Sequence, residues 1–338
     1  TFTRFLDLKK AEEQTKESQI QLALERVRAR TMAMQKSDEL REVVSTLYEQ
    51  LNKLQFDSNA CNIIIIDKES NNQRYWVSGF TQKLYPESYN VPYFKHPYID
   101  DQLQAWKEGR NYIVIEYSGK MKYEFDKQFF SQTDFKNIPV EVQEVISALP
   151  SAKLSTAFFT YGALQIIGPD QLSEENAAIL QRFAKVFDQT YTRFLVLQKS
   201  EAQARESQIQ LALERVRART MPMEHSDELK EAAALLFQQA KALGVPAYSC
   251  GYNIWEKNDK TFTSWMSTQD GSDFNGVLNI PLTEDANFIR YVESKQKGEQ
   301  FFVLELREKR MQEHYEYLKT IPAFKAYFDY AISVGFDL

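Results

Sequence analysis

The segment ESQIQLALERVRARTM at residues 17–32 recurs letter for letter at residues 206–221. Sliding the chain against itself by 189 positions aligns the two copies without a gap, and from Glu17 to Met34 17 of 18 residues match, Ala33 against Pro222 being the exception. The match then thins but keeps its landmarks. SDEL at 37–40 meets SDEL at 226–229, Cys61 meets Cys250, Trp76 meets Trp265, Pro92 meets Pro281, Gly109 meets Gly298 and Glu116 meets Glu305. Landmarks held in register over such a span mean one fold used twice.

The frame extends past both copies. TFTRFLDL at 1–8 resembles TYTRFLVL at 190–197, and Leu338 aligns with Leu149. The chain therefore reads as a segment of a longer array: residues 1–36 are a connector helix whose start is the tail of an upstream unit, 37–195 one complete domain, 196–225 a second connector, and 226–338 a second domain cut short. Two helix-capped domains with uneven ends are the alternative.

Composition removes several function classes. The chain has 338 residues, 43% hydrophobic and 26% charged, which suits globular domains with their own cores. A net charge of −6 speaks against a nucleic-acid backbone or an anionic membrane as the main partner. Wholly apolar runs such as Ile63–Ile66 fall far short of a membrane span, although an anchor upstream of Thr1 stays open. Two cysteines, Cys61 and Cys250, are too few for a disulfide framework and point to a reducing cytoplasm.

Periodicity outlines one unit. No Gly or Pro interrupts 170–221, and Ser173 followed by Glu174 and Glu175 predicts a helix start. Leu180, Phe183, Ala184, Phe187, Tyr191, Phe194 and Leu195 then form a core-facing stripe. Continued to Thr220, the helix would run roughly 70 Å. Its second half carries Ile209, Leu213, Val216, Thr220 and Met223 at coiled-coil spacing, as do Ile20, Leu24, Val27, Thr31 and Met34. Pro222 predicts a break and Ser37 and Ser226 predict caps of a fresh helix, so a kink is expected near 33–36. ACNIIIID and RYWVSGF, around the polar turn KESNNQ, read as an antiparallel pair, with SYNVPYF a third strand. YIDDQLQAWKEG reads as a helix ending at Gly109, NYIVIEY as a fourth strand, 120–148 as helical, and LSTAFFTY with ALQIIG as a last hairpin. The expected class is α+β, a central and mainly antiparallel sheet with flanking helices, in two copies joined by long coiled-coil-like helices.

Three stretches resemble the GAF domain, a ligand-sensing module of bacterial signalling proteins. They are SDELREVVSTLYEQLNKLQFDSNACNIIIID, AWKEGRNYIVIE and FTYGALQIIGPDQLSEENAAILQRFAKVFDQTYTRF. The connector ALERVRARTMAM also resembles segments of multi-domain sensors that precede a histidine kinase, cyclase or transcriptional output domain. The signature of cyclic-nucleotide GAF domains is absent, and no cysteine sits in a context like that of bilin-binding members. The resemblance implies the fold, a dimeric habit and a sensing role within a two-component or similar system. It names neither ligand nor cofactor.

The residues advertise no catalytic constellation. His96, His225 and His314 lie at no triad or metal-ligand spacing, neither cysteine belongs to a paired motif, and no phosphate loop or nucleophile elbow is present. The chain is accordingly expected to be non-enzymatic and to hold no metal. His225 reads as a capping-region surface residue and the cysteines as small apolar fillers. Ligand-binding candidates are Trp76, Tyr93, Tyr98, Trp106, Glu116 and Tyr161, with Trp265 and Glu305 in the second copy, around a concavity between the sheet and 80–106. Aromatic core packing explains most of them equally well. Arg26, Arg28, Arg30 and their copies Arg215, Arg217 and Arg219 form a helical surface paired with Glu25 and Glu214. Their strict identity is explained either by a specified helix–helix register, as in a homodimer, or by packing on the adjacent domain. Together these features point to a sensory module acting through dimeric helices. The alternative is a scaffold that spaces and dimerises other parts without a small ligand.

Overall fold

The computed structural model describes residues 2–79, 88–257, 259–267 and 277–322, with 324, 325, 328 and 332 beyond them. The chain divides into two compact units, Thr1–Ser200 and Glu201–Leu338.

The first unit opens with α1 (Phe2–Met32) and, after a 3₁₀ turn at Ser37–Glu39, α2 (Leu40–Lys53). There follow β1 (Ala60–Ile66), β2 (Gln73–Gly79), β3 (Tyr89–Val91), α3 (Pro97–Lys107), β4 (Tyr112–Ser118), α4 (Gly119–Gln132) and α5 (Val140–Ala148). The hairpin β5 (Ser151–Phe159) and β6 (Gly162–Gly168) leads into α6 (Glu174–Thr220), 47 residues without a break, whose last part belongs to the second unit. The architecture is mixed α/β. One six-stranded sheet runs in the order β3-β2-β1-β6-β5-β4, with every neighbouring pair antiparallel. Gly162 starts β6 at φ +157, where a Cβ would stand 1.9 Å from the Ile64 carbonyl oxygen, so only glycine lets the two strands meet.

Strand alternation gives the sheet two buried faces. Cys61, Ile63, Trp76, Leu164 and Ile166 point to a layer made by α1, α2 and α6. Ile64, Tyr75, Ala163 and Leu154 point the other way, to α3, α4 and α5.

The 189-residue repeat gains its physical meaning in the first layer. Ile20, Leu24, Val27, Thr31 and Met34 are all buried, joining one core with Val43, Leu47, Phe183 and Phe187. In the first copy this stripe is thus not a free dimer seam, because the unit's own α2 and α6 cover it. The connector is part of the domain it precedes. Glu17 and Lys16 reinforce the packing through Arg182 and Glu175 of α6.

The kink expected near 33–36 is present, but its causes differ from those expected. The helix stops at Met32 in the first copy and Thr220 in the second, whether Ala33 or Pro222 follows, so proline is not required. The new helix is closed by glutamate rather than by the Ser37 or Ser226 hydroxyl. Glu39 Oε1 accepts from the amides of Gln35 and Lys36, both at 2.9 Å, and Glu228 Oε1 accepts from Glu224 and His225 at 3.0 and 3.1 Å. His225 is exposed at that turn.

The second unit contains the end of α6, α7 (Leu229–Ala242), β7 (Gly251–Trp255), β8 (Thr261–Met266), β9 (Leu278–Pro281), α8 (Ala286–Gln296) and α9 (Glu308–Thr320). Its sheet runs β7-β8-β9, antiparallel throughout, over a core that includes Phe262, Ile280, Leu282, Phe288 and Leu318. The counterpart of β4, around 301–306, is not a strand. In the first unit β4 pairs with β5 alone. The connector stripe is more open here. Leu213 is 50% exposed where its copy Leu24 is 4% exposed, and Ile209, Val216 and Thr220 are half-buried.

The arginines of the repeated run perform the same tasks twice. Arg26 reaches Gln50 of α2 at 3.0 Å, and Arg215 reaches Gln239 of α7 at 3.2 Å. Arg30 pairs with Glu42 and Glu39, and Arg219 with Glu231 and Glu228. Arg28 and Arg217 pair within their own helix, with Glu25 and Glu214. A lysine could not span two acceptors with a planar fork, which accounts for arginine at Arg30 and Arg219. Of the two explanations for the strict identity, packing on the adjacent domain is the one these pairs embody.

Candidate functional site

Between the second sheet face and α4–α5 the first unit encloses a cavity of about 90 Å³. Rings form most of its wall: Tyr75, Tyr89, Tyr98 and Tyr117 from the sheet side and α3, Phe125, Phe129 and Phe130 from α4, and Phe135 from the turn that follows. Phe125 meets Tyr98 and Tyr117 edge-on, at 4.9 and 5.2 Å between centroids, and Phe135 stacks on Tyr89 at 4.4 Å. Such offsets are the preferred geometries of aromatic pairs, so the wall is well packed around the void. Aliphatic side chains Ile138, Val142, Ile146, Leu149 and Leu154 complete it.

Two polar groups interrupt this wall. The first is a row across three strands. Asn62 on β1 stands directly opposite Gln165 on β6, which stands opposite Thr156 on β5. Asn62 Nδ2 donates to Gln165 Oε1 at 3.0 Å, and Gln165 Nε2 donates to Tyr98 Oη at 2.8 Å and Thr156 Oγ1 at 3.1 Å. Asn62 is 4% exposed, and its Oδ1 has no hydrogen-bond partner among the described residues. It is one of several buried side-chain polar atoms in that state, Gln73 Nε2 and Gln102 Oε1 among them.

The second is an ion pair. Lys122 and Asp126, one helical turn apart on α4, have side chains only 4% and 8% exposed. Asp126 accepts from Lys122 and from the Tyr117 hydroxyl, and Lys122 Nζ also donates to the Ile146 carbonyl at 2.8 Å. The pair is thereby neutralised within the wall. Burial pushes the Tyr98 hydroxyl up to about 12, and burial followed by the Asp126 charge pushes Tyr117 higher still. Neither phenol ionises at physiological pH. Lys122, Asp126, Phe130 and Leu149 also line an open surface cleft, so one wall separates the cavity from solvent.

Of the residues expected from sequence, Tyr98 lines this cavity. The concavity was expected against 80–106, of which 80–87 lie outside the described residues; Tyr89 and Tyr98 of that stretch line the cavity, and 117–149 supply much of the rest of its wall. Trp76 and Tyr161 lie on the opposite sheet face, because strand alternation sends Trp76 toward the α1–α2–α6 layer and Tyr161 packs on Tyr191 of α6. Tyr93 is exposed and bonds Asp100 at 2.9 Å, and Glu116 is paired with Lys153 at the surface. Trp106 donates to the Phe159 carbonyl at 3.1 Å and borders a separate open cleft with Lys68, Lys107 and Lys185. In the second unit Trp265 is buried and Glu305 is exposed beside Arg307. Sequence reasoning missed Asn62, Gln165, Lys122 and Asp126. The available signals were one amide in each of two otherwise apolar strands, NIIII and ALQII, and a lysine–aspartate pair four apart within an aromatic helix.

Among the described residues no group of three metal-ligating side chains comes together, and no helix is long and apolar enough to cross a membrane. The chain matches no family model, and no curated protein proves similar to it. Among solved structures, a bacteriophytochrome from the photosynthetic bacterium R. palustris is similar at 10% identity and a TM-score of 0.37, over 89% of this chain and 58% of that one.

Proposed function

We propose that the chain is a non-catalytic sensory module of a bacterial signalling protein, built from two GAF-like domains, the first of which binds a small ligand in its aromatic cavity. The observation that carries this reading is the ring-lined cavity between the sheet and α4–α5 of the first unit. The 189-residue offset places Gly251, Met311 and Tyr315 opposite Asn62, Lys122 and Asp126, so the second domain does not repeat the polar set. Two domains with one connector and different residues at these positions suit a module that receives different inputs.

In this reading a ligand shifts the packing of α4 and α5 on the sheet, and α6 carries the change as an unbroken helix toward an output domain outside this chain. A homodimer in the cytoplasm completes the mechanism. Leu22 and its copy Leu211 are 53% and 54% exposed on the connector, which leaves an apolar position for a second chain in both copies. The scaffold reading is favoured by the duplicated arginine pairs, which fasten helices whether or not anything binds. Native mass spectrometry and a thermal-shift screen of metabolites separate the two: a bound small molecule or a shift of several degrees supports sensing, and a silent screen supports the scaffold. Light scattering that shows a monomer at high concentration would remove the dimeric part.

A further inference from the structure

The second unit leaves open what the first unit covers, and it does so at two adjoining elements. In the first unit β1 is an inner strand, paired with β2 on one edge and β6 on the other. Its copy β7 pairs with β8, and among the described residues no strand follows on its other edge. The side chains show the same gap. Cys61, Ile63 and Ile64 are buried, whereas their copies Cys250 and Tyr252 are half-buried and Asn253 is exposed. On the helix that packs against this strand, Leu40, Leu47 and Leu51 are buried, but their copies Leu229, Leu236 and Ala240 of α7 are half-buried. Beside α7 runs the half-open stripe of Ile209, Leu213 and Val216. A carboxylate marks the start of that stripe. Glu17 is paired with Arg182, while its copy Glu206 accepts only from Gln210 of its own helix among the described residues.

In the first unit one continuous segment adjoins these positions. There β6 pairs antiparallel with β1, Leu172, Leu180, Phe183 and Phe187 enter the core, and Arg182 reaches Glu17. We propose that the β7 edge and the groove between the connector and α7 dock one partner segment of the same chemistry. It comprises an apolar strand antiparallel to β7, then an amphipathic helix with two phenylalanines four apart and an arginine that meets Glu206. The helix runs parallel to the connector, because in the first unit Lys16, Glu17 and Gln35 meet Glu175, Arg182 and Gln198 in ascending order. An open strand edge offers main-chain hydrogen bonds to many sequences, and the groove supplies the selection. The occupant can be specified because the connector presents the same residues in both copies.

The test uses the 338-residue chain and a synthetic peptide of residues 162–195, followed by fluorescence anisotropy and hydrogen exchange. The peptide is expected to bind with a Kd of about 10 μM and to slow exchange at Gly251–Trp255. Residues 174–195 alone, without the strand, should bind at least about tenfold more weakly, and a 162–195 peptide with Phe183→Asp and Phe187→Asp should not bind at about 1 mM. In the chain, Leu213→Asp should abolish binding, whereas Leu211→Asp, on the opposite face of the helix, should leave it unchanged. Glu206→Arg should weaken binding roughly threefold, and a peptide carrying Arg182→Glu should restore it. Glu206, Leu211 and Leu213 are exposed, so these substitutions spare the core, and circular dichroism verifies that each variant is folded. No binding of 162–195 at about 1 mM, binding that survives Leu213→Asp, or protection gained at β1 instead of β7 overturns the proposal. So does a dimer through this face, seen by light scattering as a mass that Leu213→Asp halves and the peptide leaves intact.

Discussion

Glu17 and Arg182 meet through both carboxylate oxygens and both terminal guanidinium nitrogens, at 2.6 and 3.0 Å, across the boundary between α1 and α6. The pair joins the first residue of the repeated connector to the helix that leaves the domain. Its geometry is bidentate, but the side chains are 51% and 35% exposed, so water screens much of the attraction.

The Arg182 hydrogen bonds, with a second from Gln21, hold the Glu17 carboxyl below its ordinary value of 4.5. A carboxyl depressed in the folded state binds fewer protons there than in the unfolded chain. Its contribution is therefore fully present above pH 4.5 and fades as the pH falls through the folded value. Glu17→Gln should cost about 0.5 kcal/mol at pH 7. Urea titrations of both proteins should show that difference closing toward pH 3, and a constant difference across this range would contradict the assignment.

Two identical leucines should behave differently. Leu24→Ala removes a side chain that is 4% exposed and should cost roughly 2–5 kcal/mol, while Leu213→Ala at 50% exposure should cost under about 0.5. Denaturant unfolding, with hydrogen exchange to separate the two units, checks this. Equal costs would mean that the second stripe is covered in solution, as a dimer through it would require.

The Lys122–Asp126 pair predicts a non-additive cycle. Lys122→Met leaves Asp126 buried with only Tyr117 to answer it, at roughly 3–5 kcal/mol. Adding Asp126→Leu should recover most of that loss, because the uncompensated charge goes with it. Thermal melts of the two single variants and the double variant measure the coupling, and additive losses would argue against a buried pair.

Burial pushes the thiols of Cys61 and Cys250 up, and Cys61 is fully buried whereas Cys250 is only partly so. Thiolate is the reactive form, so both should label slowly, with Cys250 ahead of Cys61. Peptide mapping after iodoacetamide treatment should find Cys61 modified only under denaturing conditions. Rapid native labelling of Cys61 would refute its placement on β1.

The elements were largely legible because hydrophobic period reports local geometry. The strand around Cys61, the helix ending at Gly109 and the unbroken helix through Thr220 all follow from spacing and from Gly and Pro. The cavity was not legible, because its polar row comes from positions 62, 156 and 165, which meet only once the sheet order puts β6 between β1 and β5. Trp76 and Tyr161 looked equally suited to a ligand, and only the strand faces separated them from Tyr98.

By itself, the sequence determined that the connector recurs almost unchanged at an offset of 189 residues, and in what order helices and strands follow one another. Those are properties of order and period along one chain. Only the tertiary structure decided what the connector touches: the stripe from Ile20 to Met34 is covered by α2 and α6, and its copy from Ile209 is left half-open. Identical residues carry identical propensities, but burial is a relation between segments. The same apolar stripe of the repeated segment becomes core in one place and stays half-open in another.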